Sequence, residues 1–145
     1  MEHLTRAIAA LVPAVPLSLF GLGVTAGPAS AAATTVAPSV TCSNYGCDGT
    51  DPDETGCTYL AYAVFDINGL QLMWSPTCKT NWARYYVNPG ETAILGVTRQ
   101  NPYGYKSLGS SVAGWAYTDQ LYSPGPARAS VTVINKAQWF TPWTD

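Results

Sequence analysis

The chain has 145 residues, room for one domain, and its 7 basic and 9 acidic side chains leave a net charge of −2. The basic residues are scattered, which excludes a basic patch for nucleic acid or an anionic membrane surface. The single histidine is His3, so histidine-based triads and the commonest zinc sites are excluded from everything after the leader-like start.

In chain order, a weakly basic start is followed by an uncharged stretch rich in Ala, Leu and Val over residues 7–24. Ala29-Ser30-Ala31 then supplies small side chains in an A-x-A pattern. That order predicts a secretory signal over residues 1–31. The apolar run approaches the roughly 20 residues that span a bilayer. Pro13, Pro16, Gly21 and Gly23 interrupt it, however, and no basic stop-transfer cluster follows, so no membrane span is expected after cleavage. Residues 32–41, AATTVAPSVT, are small, uncharged and proline-containing, and read as an extended arm.

The four cysteines, Cys42, Cys47, Cys57 and Cys78, all follow the leader. An even count in a small exported domain reads as two disulfides, for which three pairings are possible. Cys42–Cys47 with Cys57–Cys78 is favoured, the first closing a short loop and the second tying an N-terminal turn to the end of a hairpin. The competing four-cysteine zinc site usually needs two C-x2–4-C knuckles, and Cys57 and Cys78 form no second one. Between the cysteines, Asp51-Pro52-Asp53-Glu54 reads as one helical turn. Asp51 is its N-cap, Pro52 stands at N1, Glu54 completes a capping box, and Gly56 ends the turn.

Strands dominate afterwards. A hairpin is predicted from residues 58–65 and 70–74 around a turn at 66–69. Further strands are predicted at 82–87, 92–98, 105–112, 115–122 and 127–134, separated by Asn88-Pro89-Gly90-Glu91 and other turn signals. No window sustains a 3.6-residue apolar period. The expected fold is therefore mainly β: a small, disulfide-stapled barrel or sandwich of about six or seven short strands over residues 42–134, with an aromatic tail at 135–145.

Cys47-Asp48-Gly49-Thr50-Asp51-Pro52 with Gly56-Cys57 resembles the C-x-G-x-D-P-x3-G-C opening of the DUF2690 family. Leu72-Met73-Trp74-Ser75-Pro76-Thr77-Cys78 is similar to its L-R-Y-S-P-x-C segment, and Trp82-Ala83-Arg84 to its W-A-R. Tyr117-Thr118 and Ala127-Arg128-Ala129 match its Y-T and closing A-x-A, while Ser130 stands where the family commonly has cysteine. The resemblance spans residues 42–130. It implies a small secreted or surface-displayed domain of the kind found in Streptomyces and other actinobacteria, and no chemistry, because the family has no established activity.

The acidic residues Asp48, Asp51, Asp53 and Glu54 form one cluster of hard oxygen donors that could suit extracellular calcium, but their spacing is not that of an EF-hand and capping already uses Asp51 and Glu54. No metal or cofactor is expected. Trp82 and Arg84 should share a sheet face, with Arg84 stacking on a ring or pairing with Asp51 to hold the N-terminal loop. Trp74, Trp82 and Trp115 are expected in the core. Tyr85, Tyr86, Tyr103, Tyr105, Trp139 and Trp143, at turns or in the tail, are the candidate binding surface, and adjacent Tyr85 and Tyr86 must face opposite sides.

Without a usable histidine, and with Asp66, Glu91 and Asp119 in no recognisable motif, the expectation is a non-enzymatic extracellular interaction domain. The preferred version is a protein-binding adaptor that offers the arm as an added strand and the tail as a docking segment. A glycan- or cell-wall-binding module using exposed aromatics is the alternative, and a two-carboxylate hydrolase is a distant third.

Overall fold

The structure, a computed structural model, describes residues 37–145. The predicted signal and the first half of the predicted arm lie outside the described residues. β1 (Tyr62–Ile67) and β2 (Leu70–Ser75) form a hairpin. Its turn is Asn68-Gly69, both at positive φ (52° and 80°), as a two-residue hairpin turn with right-handed strand twist requires. β3 (Thr80–Val87) pairs with β2. After the turn at Gly90, β4 (Ala93–Arg99) enters a second sheet, where β5 (Gly104–Ser110) pairs with it. β6 (Gly114–Tyr117) and β7 (Leu121–Tyr122) return to β3, while β8 (Ala127–Val133) and β9 (Ala137–Phe140) complete the second sheet. The first sheet, called A below, runs β1-β2-β3-β6 with β7 also on β3; sheet B runs β5-β4-β8-β9.

Alternation decides what lies between the sheets. In β8, Ala127, Ala129, Val131 and Val133 are buried, and Arg128, Ser130 and Thr132 are not. Leu70, Leu72, Ala83, Tyr85 and Val87 of sheet A meet Ala93, Leu95, Val97, Val131 and Val133 of sheet B in one cluster. Each fully buried leucine there contributes about 2 kcal/mol. Both sheets keep free edges, so the molecule is a sandwich and not a closed barrel.

Among the described residues nine strands replace the six or seven expected, for two reasons. Residues 115–122 are not one strand, because the chain leaves the ladder at Gln120 to bond the N-terminal loop: Gln120 N–H donates to Thr50 O (3.1 Å) and Gly49 N–H to Gln120 O (2.9 Å). The aromatic tail is itself strand β9, and beyond it Thr141 and Thr144 N–H donate to the carbonyls of Ala129 and Ala127. The tail is therefore the edge of sheet B. β1 also begins later than expected, since residues 58–60 are turn and Leu60 takes a positive φ of 59°.

The loop before β1 lies against the outer face of sheet A. Cys42–Cys47 and Cys57–Cys78 are bridged, and Cys42 Sγ lies 3.6 Å from Cys57 Sγ. Asp51 Oδ1 accepts from the N–H groups of Asp53 (2.7 Å) and Glu54 (3.4 Å), capping the turn as predicted, but the exposed Glu54 carboxylate makes no return bond, so the predicted capping box is not completed. The turn ends at Gly56, φ 73°, with Cys57 N–H donating to Pro52 O (2.8 Å). A side chain on Gly56 would also collide with Ser39 O, 2.9 Å away, where the described end of the arm passes.

Two buried side chains fasten this loop. Gln120 Nε2 donates to Thr50 Oγ1 (2.9 Å) and Thr55 Oγ1 (2.8 Å), while its Oε1 accepts from Thr80 Oγ1 (2.7 Å). Arg99 NH1 pairs with Asp48 at 2.9 Å, and Arg99 Nε donates to Pro102 O (2.6 Å). Asp48 also accepts from Tyr122 N–H (2.6 Å).

Candidate functional site

Antiparallel register sets the outward residues of sheet B in rows. Tyr105, Thr98 and Arg128 form one row; Ser107, Gly96, Ser130 and Phe140 form the next. The middle of the face is therefore small and polar, and its flanks are aromatic. Gly96 makes this flatness possible. A methyl group there would stand 2.7 Å from Ser130 Oγ and 2.9 Å from the Tyr105 ring, so Tyr105 leans across β4 only because Gly96 has no side chain.

The result is a shallow cleft of about 430 Å³. Tyr103 and Tyr105 stand on one flank, Phe140 and Trp143 on the other, with Arg128, Gln100 and Gln138 among the polar groups between them. Tyr103 is 75% exposed and Tyr105 48%, although both are large aromatics. The Arg128 guanidinium lies over two rings, 4.5 Å from the Trp143 centroid and 4.8 Å from that of Phe140. No carboxylate lines this cleft among the described residues.

Of the six aromatics predicted as a binding surface, Tyr103, Tyr105 and Trp143 come together here. The other three do not join them. Tyr85 is 4% exposed in the core, with the half-buried Trp139 edge-on to it at 5.9 Å. Burial, then the nearby Glu91 carboxylate, pushes the Tyr85 phenol up. Tyr86, on the opposite side of β3 from Tyr85, lies on the outer face of sheet A, edge-on to Trp115 at 5.5 Å. Trp115, expected in the core, is exposed instead, because β6 is a short edge strand and its outward side is uncovered. Trp74 is half-buried and lines a cleft of about 470 Å³ with Tyr62, Lys79 and Tyr122.

Trp82 and Arg84 share a face, but Trp82 is buried under the N-terminal loop, and Arg84 stacks on Trp115 at 3.9 Å. The ion pair holding the loop is made by Arg99 and Asp48 in place of Arg84 and Asp51. Asp51 is occupied as a cap, and its neighbour Asp53 accepts from the Tyr117 hydroxyl at 3.0 Å. Burial and then that bond to Asp53 push the Tyr117 phenol up to about 12. Asp51 and Asp53 both face the Tyr117 hydroxyl (3.5 and 3.0 Å), while Asp48 is held by Arg99 and Glu54 is exposed, so the four acids do not converge as one set among the described residues; the group that does is Cys42, Cys47 and Cys57, whose sulfurs are in disulfides.

Sequence reasoning missed Arg99, Gln120, Arg128 and Phe140. For Arg99 a signal existed: Ala93, Leu95, Val97 and Arg99 alternate in one phase, so a charge falls on the buried face of a strand and demands a partner. For Gln120 there was none, since its partners are 40 to 70 residues away.

No family model matches the chain, and no curated protein or solved structure matches it significantly. No helix among the described residues is long and apolar enough to cross a membrane.

Proposed function

We propose that this chain is a secreted, non-enzymatic binding module that takes a glycan on the outer face of sheet B. The observation that carries the reading is the exposed cleft lined by the aromatics Tyr103, Tyr105, Phe140 and Trp143 together with the small polar side chains Thr98 and Ser130 and the amides Gln100 and Gln138. Sugar rings present C–H faces that pack on such aromatics while hydroxyls bond amides and hydroxyls beside them. The secretory pattern of residues 1–31, the two disulfides and the resemblance to DUF2690 support release from the cell. The adaptor reading relied on two docking segments, and one of them, the tail, is strand β9. That moves the glycan reading ahead.

The test is affinity electrophoresis of the oxidised protein through gels carrying neutral and acidic polysaccharides, with peptidoglycan sedimentation alongside. Retention that drops about tenfold in Tyr105→Ala and in Trp143→Ala, but not in Tyr86→Ala, is the expected result. Retention equal in all three variants would place binding elsewhere. A stoichiometric co-purifying protein, with no glycan retained, would restore the adaptor.

A further inference from the structure

We infer that Arg128 makes the sheet B cleft selective for sugars that carry a carboxylate, an inference that rests on the glycan reading above. The two arginines that end on sheet B differ in one respect. Arg99 is buried and fully engaged, by Asp48, Pro102 O and Tyr122 O. Arg128 has no ion pair among the described residues, and its Nε is buried with no hydrogen-bond partner. The covered Nε is out of a ligand's reach, whereas the terminal N–H groups make no hydrogen bond among the described residues and are open at the cleft.

The guanidinium carbon lies over the rings of Phe140 and Trp143, 4.8 and 4.5 Å from their centroids, which leaves the terminal N–H groups as the bonding groups. A planar fork of donors matches a carboxylate in bidentate fashion. No acid among the described residues competes for it in the cleft, although the chain as a whole is acidic. The row Tyr105, Thr98, Arg128 then offers an aromatic surface for a pyranose ring at one end and a cation at the other, separated by one strand. The ligand chemistry is a pyranose bearing a carboxylate. Its source is either a uronic acid polymer or the lactyl ether of muramic acid.

The experiment uses the oxidised protein, titrated calorimetrically with oligogalacturonate, its methyl ester, chitin oligosaccharide and a peptide-free muramic fragment whose lactyl carboxylate is not amidated. The ester keeps the ring and masks the charge. Expected is binding of an acidic ligand that weakens about tenfold or more on esterification and in Arg128→Gln, with Arg128→Lys intermediate, because lysine keeps the charge and loses the fork. Preference for the muramic fragment over oligogalacturonate would assign the carboxylate to the lactyl group, and the reverse to a uronate. Equal binding of acid and ester, or undiminished affinity in Arg128→Gln, overturns the inference and leaves the glycan reading standing. Binding of none of the four, by protein with native circular dichroism and no free thiol, overturns both.

Discussion

On sheet A the outward residues Met73 and Trp82 are buried beneath the disulfide-bearing loop, whereas on sheet B the outward residues Ile94, Tyr105 and Phe140 stand in solvent. Both faces are built from alternating strands with aromatics at outward positions. What separates them is a roof. Over sheet A, the loop is fastened by two disulfides, by Gln120 and by the Arg99–Asp48 pair, and the polar groups it brings are paired with one another. Over sheet B no described segment passes, and Arg128 lines the cleft with no ion pair among the described residues. An outward aromatic is therefore structural where a long-range contact covers it and available where none does.

The comparison can be broken from the roofed side first. Replacing both Cys57 and Cys78 by serine should cost about 3 kcal/mol, read from urea unfolding, because the unfolded chain regains the freedom of a 21-residue separation. Trp82 should become exposed at lower denaturant than the remaining core, shifting its fluorescence to the red. Arg99→Met should cost nearly as much, about 3 kcal/mol, since it leaves Asp48 half-covered with no cation. The cysteine replacement should not alter which glycan the folded protein prefers, because it does not touch the open face, whereas Arg99 also anchors Pro102 beside Tyr103.

Gly96→Val attacks the open face alone. Its side chain would enter the space of Tyr105 and Ser130, so retention on glycan should fall about tenfold. The cost in stability should be near 1 kcal/mol, within the usual range for overpacking a site that can relax outward.

Two titrations sharpen the contrast with smaller effects. Tyr117 bridges sheet A to the roof through Asp53, and its phenol is held up to about 12 against an ordinary 10. The folded state keeps a proton that the unfolded state releases, so this contribution is whole below pH 10 and is lost as pH rises toward 12. Ultraviolet titration should show one late phenol that Tyr117→Phe removes. At the turn before β4, Glu91 bonds Lys136 (2.6 Å) and Asn88, which together lower its carboxyl to about 2 from an ordinary 4.5. That contribution is whole above pH 4.5 and is lost as pH falls through about 2. Lys136→Met should flatten this acid limb in thermal melts between pH 5 and 2.

Much of the scaffold was legible. Asn68-Gly69 marks a hairpin because few residues tolerate positive φ at both turn positions, and Asp51-Pro52 with Gly56 marks a capped turn for similarly local reasons. The favoured cysteine pairing is the one observed. Half of the candidate surface was also visible: Tyr103, Tyr105 and Trp143 meet at one cleft. Tyr85 and Trp139 were misplaced because alternation states only that neighbours face opposite ways, without saying which way is inward. Arg128 was read only as part of a family motif, and Phe140 was passed over, because the segment after β8 looked like a tail.

By itself the sequence determined the strand-rich class, the turns, the sulfur staples and the periodicity of each strand, all consequences of interactions that reach a few residues along the chain. Only the tertiary structure decided which sheet each strand joins, that Gln120 and Arg99 clamp the N-terminal loop over sheet A, and that residues from β5, β8 and the last strand form one open face. Those outcomes depend on contacts between residues more than 70 positions apart, such as Asp48 and Tyr122, whose free energy appears only once both partners have been brought to the same place.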